Sequence, residues 1–415
     1  RTDSGDLMTS APTVTVEAAL GVPKDTDFVL DDPTKGVLDG TTYVLASGYS
    51  TVTSDATGVT ITRGRTSRLW DAMDSGRCMV ILNNEDRDYD PAYLFSPYRD
   101  RLRPGRGVRI SANDRPIFTG HVEDFGLDYQ VSGRSTAAMA ATDALGSLGQ
   151  LQFDEFTASG STVSAKLTEA LDRDEVDWLL AERDFDEGVA ILQTANSVAY
   201  GDNVLGYCQL LARSEIGYLF ASVDGRLTFR DRNLSNTSLA SFGASGIPFQ
   251  GISVETGSEL LFSRVVVTRE GGSATTAVTA DAPAWRETNG PLRSLSITGV
   301  LLSNDTQSLD LAEYLLALYD SPRYRVRELT VHLEALNAAD QNTVLELDIT
   351  DMVTVEFTPN DVGDAVVQFL VVQGIRHDIT PASHVVTLSL MDAPSPFFRL
   401  DSADFGVLDT DILGL

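Results

Sequence analysis

Apolar and polar side chains alternate with period two over much of this chain, which marks strands with one buried face. Val14-Thr15-Val16-Glu17 alternates in this way, and Gly40-Thr41-Thr42-Tyr43-Val44-Leu45 is a second candidate. Thr51-Val52-Thr53 then leads into a β-rich stretch over residues 61–134. There Met79–Leu82 is a short apolar run suited to a buried strand, and Val108-Arg109-Ile110-Ser111 alternates. Asn113-Asp114 supplies turn chemistry before Pro116-Ile117-Phe118-Thr119, and Leu127-Asp128-Tyr129-Gln130-Val131 alternates again.

From 135 the period changes. Thr142-Asp143 is placed to cap a short helix running to Leu148, and Ser164–Leu171 carries Leu167, Ala170 and Leu171 on one helical face. Asp202 is read as the N-cap of a longer helix, with Val204, Leu205, Cys208, Leu211 and Ala212 at helical spacing. Gly217–Ala221 and Arg226–Arg230 then flank Asp224-Gly225, a strong hairpin signal. After 250 the chain is β-rich once more. Ser263–Arg269 is expected to pair with Thr275–Thr279, and Leu309–Tyr319 is a helix ended by Pro322. Strands are expected at Arg325–Leu333, Met352–Phe357, Val366–Ile375 and Val385–Leu390.

One run carries a resemblance. Its landmarks, in order, are Arg63-Gly64-Arg65, Cys78–Leu82 followed by Asn83-Asn84-Glu85-Asp86-Arg87, Tyr89-Asp90-Pro91, Ser96-Pro97-Tyr98, Leu102-Arg103-Pro104-Gly105-Arg106 and Ile117-Phe118-Thr119-Gly120-His121-Val122. This run resembles the opening barrel of baseplate hub (tail-tip, minor tail) proteins of long-tailed bacteriophages, especially those of actinobacteria. The helix-plus-hairpin at 202–230 and the run Gln373–Ile379 with His384–Leu388 resemble later parts of the same proteins. The resemblance implies a mainly β (α+β) chain with two hub-type β-barrel modules, an inserted mixed α/β module, and short flanking strand-turn segments. The expected bounds are 1–60 for an N-terminal extension, 61–134 for the first barrel and 135–249 for the mixed module. The second barrel, with one helix, would cover 250–392, and a C-terminal docking segment 393–415. It further implies a homotrimeric ring on a sixfold tail tube, at the tip of a virion tail assembled in the host cytoplasm. The implied partners are the distal tail protein, the tape-measure protein and other tail-tip or fibre proteins. DNA would pass through the lumen without stable binding. A distal tail protein forming a sixfold ring is the alternative within this class. A tail-associated cell-wall hydrolase or carbohydrate-binding adhesin is the alternative outside it.

The charge fits a conduit better than a nucleic-acid binder. The 415 residues carry a net charge of −29, and the acid is unevenly spread. Residues 1–60 sum to −6, residues 61–134 to +1, and the remainder to −24. Such a surface repels phosphates, so an acidic lumen would keep DNA from sticking. Solubility explains the same composition. No apolar run reaches 18 residues, so no transmembrane helix is expected, and Arg1–Pro12 lacks the apolar stretch of a secretory leader. Cys78 and Cys208 each lie in apolar surroundings and read as small buried hydrophobes.

Candidate chemistry is sparse. Asp86-x-Asp88-x-Asp90 starts like a calcium loop, but Pro91 and Pro97 stand where that loop needs Gly and Glu. The four histidines form no zinc motif, although His377 and His384 flank a turn that would bring them together. No Gly-x-Ser-x-Gly, P-loop or dinucleotide fingerprint occurs. No cofactor is expected, and an enzyme is not. Arg99, Arg101, Arg103 and Arg106 are read as interface residues that pair with carboxylates of this chain or its neighbour. A second interface candidate is an internal repeat. Phe28–Asp39 and Phe398–Asp409 match at 7 of 12 positions, offset by 370. Phe28, Leu30, Val37 and Leu38, with Phe398, Leu400, Val407 and Leu408, are its apolar anchors. Each copy either docks in an equivalent groove, at about 2 kcal/mol per buried side chain, or forms a local hairpin on its own domain.

Overall fold

The computed structural model describes residues 10–21 and 48–393, apart from 67, 132, 235 and 236. Seven strands build the first unit: β1 (Val14–Ala18), β2 (Ser50–Thr51), β3 (Ala56–Gly64), β4 (Asp74–Asn83), β5 (Gly107–Ala112), β6 (Arg115–Tyr129) and β7 (Ser135–Thr142). They are ordered β3-β4-β7-β6-β5-β1-β2, all antiparallel. Because β2 runs through the turn Thr53–Asp55 into β3, the path returns to its start. Inward residues of β1 and β3–β7 meet inside this circuit, among them Val16, Ile61, Val80, Ile110, Phe118 and Met139, all 0–1% exposed. The 116–119 and 127–131 segments, read separately in the sequence, belong largely to the single 15-residue strand β6. A bulge in β6 between Val122 and Asp124 lets the strand bend and continue instead of ending.

The middle of the chain packs helices on short strands: α1 (Ala144–Leu148), β8 (Phe156–Ala158), α2 (Val163–Leu171), β9 (Arg183–Phe185), β10 (Asn196–Val198), α3 (Val204–Glu215), β11 (Tyr218–Ala221) and β12 (Leu227–Arg230). Asp143 caps α1 as its position predicts, accepting from Leu145 and Gly146 N–H. The cap of α3 is Asn203, which accepts from Gly206 N–H. Asp202, expected in that role, accepts instead from Ala199 N–H at 2.9 Å, so it closes the preceding turn.

The chain then forms β13 (Ser238–Gly243) and β14 (Gly251–Glu255) before leaving again through β15 (Arg264–Arg269), β16 (Ala274–Val278), α4 (Ala282–Asn289), β17 (Ser294–Val300) and α5 (Asp305–Tyr319). It returns with β18 (Arg325–His332), α6 (Ala338–Leu345), β19 (Met352–Phe357), β20 (Val366–Thr380) and β21 (Ser383–Asp392). The excursion β15–α5 shares one apolar core with the middle segment, where Val265, Val267, Ile297 and Leu315 join Leu167, Leu211 and Phe229.

The returning strands make a second circuit, β14-β18-β21-β20-β19-β13, whose two end strands are consecutive in the chain, β13 leading directly to β14. With the two-residue β2 set aside, the six remaining strands of the first circuit follow the same spatial order as the six of the second, β1, β3, β4, β5, β6 and β7 matched by β13, β14, β18, β19, β20 and β21. Both β6 and β20 are 15 residues long and both carry a bulge against their hairpin partner. One pairing differs: β13 runs parallel to β19, whereas β1 is antiparallel to β5. The circuits are welded where Gly374–Ile379 of β20 pairs with Val59–Gly64 of β3. The chain is thus mainly β with helices set between and within two similar sheets. No helix among the described residues is long and apolar enough to cross a membrane.

Candidate functional site

The arginine run sits in the turn-rich connection between β4 and β5. Asn84 starts it, accepting from Tyr89 N–H at 3.0 Å while its own backbone bonds Ser135. Asp90, 3% exposed, is the hub of the connection. It accepts from Arg87 at 2.6 and 3.0 Å, from the Tyr129 hydroxyl at 2.7 Å, and from Ala92 N–H at 2.8 Å. Burial opposes its charge, but these donors outweigh burial and hold its carboxyl below the usual range. Tyr89 stacks on Tyr98 and donates to Asp55 at 2.6 Å. With its oxygens committed in this way, Asp90 is not free to complete a cation site with Asp86 and Asp88. Among the described residues no group of three or more acidic, His or Cys side chains is placed to hold a metal.

This bracing presents Leu94 and Phe95 to solvent, 65% and 81% exposed, with Phe95 edge-on to Tyr93 and Arg87 over the Tyr93 ring. Neither residue stands out in the sequence. Two apolar residues between turns carry no periodic signal that separates display from burial.

Arg99 and Arg103 are exposed. Arg101 donates to Leu20 C=O at 3.1 Å, and Arg106 donates to Arg101 C=O at 3.2 Å. Among the described residues no ion pair involves Arg99, Arg103 or Arg106. The anchors Phe28, Leu30, Val37, Leu38, Phe398, Leu400, Val407 and Leu408 lie outside the described residues.

The buried polar residues form a second group at the weld between the circuits. Arg63 of β3, 3% exposed, donates to Ala221 C=O at 2.6 Å and to Asp348 at 2.8 Å, so one guanidinium ties the first sheet to the middle segment and to the α6–β19 connection. Arg65 bonds Gln373 at 2.9 Å across the same seam and lies over Tyr218. His377 and His384 do meet, ring nitrogen to ring nitrogen at 3.0 Å. Burial pushes His384 down to about 4, against the opposing charge of Glu334, and burial, with His384 and Arg63 adding to it, pushes His377 well below its ordinary value. Two clefts among the described residues lie near these groups. One, about 710 Å³, is lined by Val14, Thr53, Glu334, Ile379 and His384. The other, about 780 Å³, lies over the weld and is lined by Arg63, Arg77, Gln209, Glu328 and Arg376. Neither lining set includes a Ser or Cys nucleophile bonded to a base.

No family model matches this chain, and no curated protein matches it. Solved structures do. A tail protein from Neisseria meningitidis MC58 superposes with a TM-score of 0.59 at 12% identity, covering 91% of this chain and 96% of that one. The 43 kDa tail protein of prophage MuSo2 from Shewanella oneidensis gives 0.58 at 13% identity, over 92% and 97%. The chain shares its fold with these tail proteins. Because coverage exceeds nine-tenths in both directions, the likeness includes the helical middle segment as well as the two sheets.

Proposed function

We propose that this chain is a structural component of a phage tail, acting as a baseplate hub that joins the tail tube to the tip proteins. The observation that carries this reading is the fold, shared end to end with two tail proteins. It is supported by the ordered landmarks from Arg63 to Val122, the part of the sequence that resembles hub proteins of actinobacteriophages. On this reading several copies, three in the hub arrangement, surround a channel. Two similar strand circuits per chain then present six like units to a sixfold tube. The distal tail protein, the tape-measure protein and fibre or tip proteins are its neighbours in the virion. Its net charge of −29 suits a wall past which DNA slides without sticking. The role is non-enzymatic. The repeated segments at 28–39 and 398–409 serve as two like anchors for neighbours, and deleting 394–415 should impair assembly.

Electron microscopy of the particle tests this. Threefold symmetry at the ring containing this chain, with two circuits per copy around a channel, supports the hub. Sixfold symmetry moves the chain to the distal tail ring. Absence from the particle overturns both.

A further inference from the structure

The internal duplication specifies how one copy meets the next. Residues lie in matching rows across the two sheets. In the first circuit Val59 pairs with Val80, Val80 with Met139, and Met139 with Phe125. In the second, Ile252 pairs with Leu329, Leu329 with Leu388, and Leu388 with Ile375. Row on row, Phe125 is the counterpart of Ile375 and Ile252 the counterpart of Val59.

Within the chain, the strand containing Ile375 continues past its bulge and pairs with β3, Ile379 against Val59. The counterpart surfaces are both present and, among the described residues, both open. The 124–129 half of β6 pairs with β7 on one edge, and β5 stops at His121 on the other. β14 pairs only with β18 and ends the sheet. Among the described residues no strand covers either edge. Burial makes the same point. At the weld Val59, Ile61, Ile375 and Ile379 are 0–7% exposed, whereas Tyr129 is 52% exposed and Phe125, Leu127, Ile252 and Val254 are only partly buried.

We propose that the free edge of β6 in one copy adds antiparallel to the free edge of β14 in the next, repeating between copies the β20–β3 weld made within each. This deepens the ring reading above and rests on it. The rows fix the register. Tyr129 faces Ile252 of the adjacent copy, Asp128 faces Ser253, Leu127 faces Val254, and Gly126 faces Glu255. Main-chain bonds provide the affinity, and the apolar alternate positions provide the register. Glu255 enters diagonally between Asp124 and Asp128. Arg327, 3.7 Å away, offsets part of that repulsion, so added salt strengthens the contact.

Facing residues of an antiparallel pair have Cα atoms about 4.5–5.5 Å apart, within disulfide range. The full chain carrying Asp128→Cys and Ser253→Cys should form covalent multimers under mild oxidation, and reductant should reverse them. Mixing the two single variants should yield covalent dimers and nothing larger. The pair Asp128→Cys with Glu255→Cys, out of register by two, should cross-link at least about tenfold more slowly. Both native thiols are buried and stay out of the reaction. Multimers seen by light scattering that fail to cross-link in register would overturn the pairing and leave the ring. A chain that stays monomeric at assembly concentrations would overturn both.

Discussion

Replacing Arg63 by Met should loosen the whole molecule. The side chain is 2% exposed, and its Nη2 serves Ala221 C=O in the middle segment and the Asp348 carboxylate in the α6–β19 connection. Removing one member of a buried ion pair costs about 3–5 kcal/mol, chiefly because the other charge is left unpaired. Asp348 is better placed than most to survive. Its side chain is 20% exposed and it also accepts from Val223 N–H and Ile349 N–H. The loss of Ala221's partner adds about 1 kcal/mol. The expectation is therefore a loss of about 3–4 kcal/mol, with about 2 kcal/mol of it coupled to Asp348→Ala in a double-mutant cycle. Urea unfolding followed by two probes measures this. Trp70 and Trp178 report on the middle core, and far-UV dichroism reports on the strands. In the variant the fluorescence transition should move to lower urea and part from the dichroism transition, since the bond that joins the two regions is gone. A loss below about 1 kcal/mol, or a coupling near zero, would refute the reasoning.

Four further outcomes are expected. His384 has a folded pKa of about 4 against 6.5 unfolded, so below pH 6.5 the unfolded state takes a proton that the folded state refuses; stability then falls by about 3 kcal/mol as pH drops from 6.5 towards 4. Burial raises Asp143 and Asp351 to about 6, which works in the opposite direction between pH 6 and 3.8, so the histidine contribution is isolated as the difference in pH slope between the parent and His384→Gln; equal slopes would exclude it. Asp143→Ala removes the cap bonds to Leu145 and Gly146 together with the 2.7 Å bond from Gly76 N–H, and should cost about 2 kcal/mol in a thermal melt. Phe95→Ser should leave stability within about 0.5 kcal/mol, whereas Asp90→Ala should speed chymotryptic cleavage at Leu94–Phe95 by unbracing the loop; equal cleavage rates would contradict the bracing. Cys78 and Cys208, whose thiols burial pushes up (Cys208 to about 12), should react with a thiol reagent only at the rate of unfolding.

Period two announced the strands that have one wet face. Met352–Phe357 was read with its observed bounds, and β20 and β21 were each found but drawn short. The β6 strand reads as two segments in the sequence, yet its glycines do not break it: Gly126 sits on an edge where nothing crowds it, and Gly120 lies where a Cβ would strike Thr142 C=O. The short helices α4 and α6 were missed, since one buried Trp285 in the first and Gln341, Val344 and Leu345 in the second make too weak a stripe to separate from loop. The cap of α3 was misplaced by one residue because Asp202 and Asn203 have nearly equal capping chemistry. Arg63 and Arg65 were legible as landmarks but not as buried ties, since an arginine in a β-rich run reads as surface until its partners 158 and 308 residues away are known. Nor does a linear pattern report that two edges are open. That required the rows of paired strands.

The shared core of the middle segment sets an order on synthesis. The first circuit needs nothing beyond Thr142, so an emerging chain can close it while the rest is still being made. The helices that follow cannot be covered so early, because Val265, Ile297 and Leu315 arrive roughly a hundred residues after Leu167 and Leu211. During that interval β14 also waits beside an unfilled place for β18. A ribosome paused between about 230 and 319 therefore carries one finished barrel-like unit and one exposed apolar surface, the state most open to chaperone capture or to mispairing between neighbouring nascent chains.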